Sequence, residues 1–113
     1  MANEVALAFL TDKITGLQII TQELGRLFLK ISDLNRADAV RAEITSLNQV
    51  LFALQSARNS LEATANEVPP PPPARIQALT AALTRLDGFV SSDQNLQTTV
   101  NLLIDAANLI RNA

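Results

Sequence analysis

Residues 69 to 73 are five consecutive prolines, and they fix the plan of the whole chain. Proline lacks a backbone N–H and holds φ near −65°, so this run belongs to neither a helix interior nor a central strand. It reads as an extended polyproline II strut, about 15 Å long for five residues. On both sides large aliphatic residues recur at three- and four-residue steps, the spacing of helices that bury one face. The chain therefore reads as one helical domain over residues 1–113: a long helical hairpin at 1–68, the linker at 69–73 and a shorter helical hairpin at 74–113.

The first helix is expected from about Asn3, a plausible N-cap, to Ser32, with Leu7, Leu10, Ile14, Leu17, Leu24, Phe28 and Ile31 on one stripe that only Thr21 interrupts. Ser32 to Asn35 is a polar break, with Asn35 the expected cap of the next helix and Asp38 in its first turn. That helix should run from Arg36 to Asn66 on the stripe Ala37, Val40, Ile44, Leu47, Leu51, Leu54 and Leu61, with Arg58 where an apolar residue is due. So short a connection folds the helices back as antiparallel neighbours, setting Leu51 near Leu17, Leu54 near Ile14 and Arg58 near Leu10.

Beyond the prolines, Ala74 to Asp87 carries the stripe Ile76, Leu79, Leu83 and Leu86, and Pro73 suits its first turn. Gly88 is the expected left-handed stop. Ser91 and Gln94 have capping-box spacing, so the last helix should start there and reach Arg111. Its stripe is Leu96, Val100, Leu103, Ala107 and Ile110, while Leu102, Ile104 and Leu109 lie off it. A helix apolar on several sides is normally surrounded, so this one is expected to be the most enclosed.

Composition excludes several classes of function. The net charge is −2 with mixed signs, and no basic cluster exists to neutralise a row of phosphates or anionic lipid, so no nucleic-acid partner is expected. Histidine, cysteine and tyrosine are missing, which removes the commonest general bases, the thiol nucleophile and the imidazole and thiolate metal ligands. Disulfides are excluded with cysteine. Three glycines form no phosphate loop, and no calcium loop is present. The longest charge-free stretch, Ile44 to Ala57, contains Asn48, Gln49 and Gln55 and is too short to span a bilayer. Glu4 stands where a secretory signal would carry positive charge, so a cytoplasmic location is expected. No catalytic residue, cofactor or metal site is expected, and the chain reads as a non-enzyme.

Charged residues are only 18% of the chain, so its polar faces are built largely from Asn, Gln, Ser and Thr. Such faces repel one another weakly, which favours self-association. Val5, Phe9, Ile19, Phe52, Leu102 and Leu109 lie off the main stripes and form the candidate partner surface, set against the plainer reading that the second hairpin covers them. Arg58 is a candidate register residue, a lone polar group that selects pairing or subunit number. Its plainer reading is a stem packed on Leu10 and Leu61 with the guanidinium reaching water, Asp12 or Glu62. Thr21 can bond a carbonyl one turn back. Pro70, Pro73 and Arg75 match a PxxPxR spacing, but any proline run beside an arginine does so, and a spacer is the better reading.

The expected fold is therefore all-α, an antiparallel four-helix bundle of two hairpins joined by a polyproline linker. The expected function is non-catalytic interaction or assembly, with homo-oligomerisation or a helical protein partner. The alternative is a carrier of an apolar ligand, or a membrane-surface-active helical protein whose hairpins open on the proline hinge.

Overall fold

A computed structural model describes residues 3–64, 66–90 and 95–113. It contains four helices, α1 Glu4–Phe28, α2 Leu34–Ala63, α3 Pro73–Val90 and α4 Leu96–Asn112, and no strand among the described residues. The fold is the expected all-α, antiparallel four-helix arrangement. Helix α2 folds back on α1 through a short turn. Helix α3 runs alongside α1, with Arg75 over the Phe9 ring and Leu83 beside Gly16. Helix α4 returns antiparallel to α1: Leu96 and Gln97 share a groove with Lys30 and Ile31, and Arg111 and Ala113 reach Lys13. The molecule measures 51 × 23 × 17 Å.

The helix ends depart from expectation in instructive ways. Asn3 has φ 76°, in the left-handed region that asparagine tolerates, and makes no side-chain cap. Its amide instead latches the start of the linker, donating from Nδ2 to the Asn66 carbonyl at 3.0 Å and accepting at Oδ1 from the Val68 N–H at 2.9 Å. Helix α2 accordingly ends at Ala63, short of Asn66. It begins at Leu34, and Asp33, not Asn35, is its N-cap, with Oδ1 accepting from Asn35 N and Arg36 N. A charged acceptor at that position also suits the helix dipole, and Asp38 falls beyond the first turn. Helix α1 stops at Phe28 and closes with two tight bonds, Lys30 N to Leu27 O and Ile31 N to Phe28 O.

Helix α3 begins at Pro73 as expected, with Arg75 N and Ile76 N bonded to Pro72 O. Gly88 is not a left-handed stop. No glycine has positive φ, and α3 continues through it to Val90. Glycine within a helix is merely less favourable than alanine, by about 1 kcal/mol. Ser91 and Gln94 lie outside the described residues. Helix α4 starts at Leu96, with Asn95 as its cap accepting from Thr98 N at 2.8 Å.

The stripes of all four helices meet in one core, in which Leu17, Ile20, Leu24, Leu47, Leu86, Leu103 and Ile110 are essentially inaccessible. Each such side chain contributes about 1.5–3 kcal/mol of burial. The most enclosed helix, however, is α1 and not α4. Besides the stripe shared with α2, it buries Ala6, Phe9, Lys13, Gly16 and Ile20, while Leu109 of α4 remains 44% exposed. Both α1 and α4 touch every other helix, whereas α2 and α3 have no contact with each other. The section is thus a rhombus with α1 and α4 across its short diagonal.

Gly16 sits where three helices converge. A Cβ there would lie 2.6 Å from Leu83 Cδ2 and 3.0 Å from Ile110 Cδ1, so the small residue sets the approach of α3 and α4 to α1. Gly25, on the same helix, has nothing within 4 Å of its would-be Cβ. Denaturant unfolding should therefore separate the two glycines. Gly16→Leu is expected to destabilise by about 1–3 kcal/mol through overpacking, and Gly25→Ala to stabilise by up to about 1 kcal/mol. Equal responses at both positions would contradict this packing.

Candidate functional site

The six off-stripe residues do not form one surface. Phe9 is only 7% exposed and is withdrawn from the candidate surface. The linker covers it: Pro69 to Pro72 line a cleft with Ala6, Phe9, Leu10 and Arg75. Ile19 and Leu102 are half-buried, with Ile19 packed on the core. Val5 is exposed at the open end of the first hairpin, near Val68 and Pro70, and Leu109 is exposed on α4. Phe52 stands apart from these, 73% exposed in the middle of α2.

Around Phe52 lies a shallow groove of about 500 Å³ between α1 and α2, lined by Gln18, Thr21, Gln22, Asn48, Leu51 and Gln55. Its register matches the pairing that places Leu51 opposite Leu17. No lining side chain carries a charge. Thr21 turns its hydroxyl inward to its own helix, donating to Leu17 O at 2.7 Å, as its mid-helix position leads one to expect. What remains at the surface is one aromatic ring in a frame of amides. Such a frame can hydrogen-bond to a second amide-rich helix face without desolvating an ion.

Arg58 is half-buried, and its Nε is buried without a hydrogen-bond partner. Among the described residues it makes no ion pair with Asp12 or Glu62, whereas Glu23 and Arg26 do pair, at 2.7 Å. The stem is thus inside and its first nitrogen is unsatisfied.

A second polar cluster escaped sequence reasoning. Lys13 is 7% exposed, and its ammonium donates to the main-chain oxygens of Arg111 at 3.3 Å and Ala113 at 3.1 Å. Arg75 Nη2 donates to the same Ala113 oxygen at 3.0 Å. Both cations lie 5.4 Å from the centre of the Phe9 ring. Cations belong at a helix C-terminus, where unpaired carbonyls carry the negative end of the dipole. This arrangement therefore ties α1, α3 and α4 together beside the linker. Burial, and secondarily the neighbouring Arg75 charge, push the Lys13 ammonium below the ordinary lysine value. With its protons directed at main-chain oxygens, Lys13 ties α1 to the end of α4. It also commits Arg75, and Pro73 is in α3, so the PxxPxR spacing does not present a free arginine.

Among the described residues no group of three or more acidic residues, histidines or cysteines could hold a metal ion. No described helix is long and apolar enough to cross a membrane. Comparison with protein-family models, curated proteins and solved structures finds no match to this chain.

Lys13 gives the fold a measurable pH dependence. Its proton is held less tightly in the folded chain than in the unfolded one, so stability rises with pH from the depressed folded value up to the ordinary 10.5. The chain has no His, Cys or Tyr, and Lys13 is the buried one of its two lysines. Urea unfolding followed across the alkaline range should show this rise in the natural chain and lose most of it in Lys13→Met. A flat profile in the natural chain would contradict the burial of the ammonium. At Arg58, replacement by Leu removes an unsatisfied buried N–H and should stabilise by about 1 kcal/mol. Solution mass should be unaltered, since a changed mass would instead mark Arg58 as the register residue.

Proposed function

We propose that this chain is a non-catalytic helical assembly protein, and that it associates through the amide-rich face of the α1–α2 hairpin with another copy of itself or with a helical partner. The observation that carries this reading is Phe52, a large aromatic side chain 73% exposed at the centre of an uncharged groove. Burying such a ring contributes about 1.5–3 kcal/mol, and aromatic residues are enriched at the centres of interfaces, inside a polar rim.

The openness of α2 supports the same reading. Of its 30 residues only Ala37, Val40, Leu47 and Leu51 are buried, and α3 makes no contact with it. A helix of this length presents a face about 45 Å long. That is ample for the area of about 800 Å² per partner that stable complexes bury. The shortage of charged residues removes the repulsion that would keep two such faces apart. Protein contact is thus the proposed role, with homo-oligomerisation its simplest form.

Light scattering tests it. The natural chain should have a mass well above 12.2 kDa that persists on dilution, and Phe52→Ser should return it to the monomer with helicity unchanged. A clean monomer at all concentrations that also captures no helical partner would end this reading.

A further inference from the structure

At the end of the molecule remote from the linker, a groove of about 200 Å³ opens between the α1–α2 turn and the first turns of α4. Its lining divides by chemistry. Ile31, Val40, Leu96, Val100 and Ile104 make an apolar floor continuous with the core, and Lys30 and Arg36 stand at its rim. We propose that this groove binds an amphipathic carboxylate, its aliphatic chain on the floor and its head group between Lys30 and Arg36, and that the occupant is a free medium-chain fatty acid.

The electrostatics favour an anion. Lys30 and Arg36 are exposed and take no part in the ion pairs among the described residues. The acid at the rim, Asp33, has Oδ1 engaged by the two amides it caps, so its charge offsets the N-terminus of α2. The N-terminus of α4 and the C-terminus of α1 face the same end with opposite partial charges, so the side chains decide the sign of the potential there. Gln97 donates to Asn101 Oδ1 at 2.9 Å, which leaves the Asn101 amide protons available at the rim. The floor excludes a small hydrophilic anion as the preferred occupant, because it offers no hydrogen bond to most of the cavity. A chain with one charged end satisfies both halves. This proposal does not depend on assembly through Phe52, which lies in a different groove.

Two leucines on the flanking turn, Leu29 at 84% and Leu34 at 79% exposed, raise a membrane as the other source of the same chemistry. They project at the surface and do not line the groove, so the free acid is the better occupant.

Titration with decanoate, below its micelle concentration, followed by amide NMR distinguishes these. The expected shifts fall on residues 30–40 and 96–104. Lys30→Glu with Arg36→Glu should weaken binding at least tenfold, and decanol should bind at least tenfold more weakly than decanoate. Ala39→Phe, which fills the groove from an exposed position, should abolish the shifts while the rest of the spectrum is retained. Absence of shifts, shifts around Phe52 instead, or indifference to the charge reversals would overturn the proposal. So would co-flotation with phosphatidylserine vesicles that depends on Leu29 and Leu34 in a protein that ignores decanoate.

Discussion

Helix α1 has two apolar faces about a quarter-turn apart, and every other element is arranged to cover one of them. The face of Ile14, Leu17 and Leu24 receives α2. The face of Phe9, Lys13, Gly16 and Ile20 receives α3, α4 and the linker, and Gly16 permits the close approach there by having no side chain. A helix with one buried stripe needs one partner, whereas α1 needs at least two, on different sides. The two hairpins are therefore bound to each other through α1, and the prolines only have to bring the second hairpin to the correct end.

They do so with little freedom. The linker is latched at its start by the Asn3 side chain and lies along Ala6, Phe9 and Leu10. At its far end Arg75 joins Lys13 on the main-chain oxygen of Ala113, the residue that follows α4. Two cations on one oxygen is an unusual choice in a chain with nine basic residues. The Phe9 ring, 5.4 Å from each of them, and the dipole of α4 supply the compensating attraction. The segment is thus fastened at both ends and lies along α1.

Much of this was legible in the residue pattern. The first stripes of all four helices, the antiparallel hairpin register, Pro73 at the start of α3 and the Thr21 back-bond follow from periodicity and from local chemistry. The second stripe of α1 was not legible, although its steps are as regular as those of the first, because Lys13 and Gly16 occupy two of its positions and neither scores as apolar. Once those are missed, Phe9 looks unpartnered and α4 looks like the central helix. The cap errors have a different origin. Asn3, Asp33 and Asn35 are all competent caps by residue type, and only long-range bonds to Asn66 and Val68 decide which task Asn3 performs. Of the candidate surface, the exposure of Phe52 follows from its place off the α2 stripe, but the uncharged frame around it depends on how α1 sits alongside.

The rhombic section leaves α2 supported chiefly from one side, with α1, α3 and α4 closed around each other without it. The connection that holds it is the brief turn at residues 29–33, polar in part and exposed for most of its length. The other end of α2 runs directly into the segment that Asn3 fastens at Asn66 and Val68, so the helix is anchored at both termini and bare only along its outer flank.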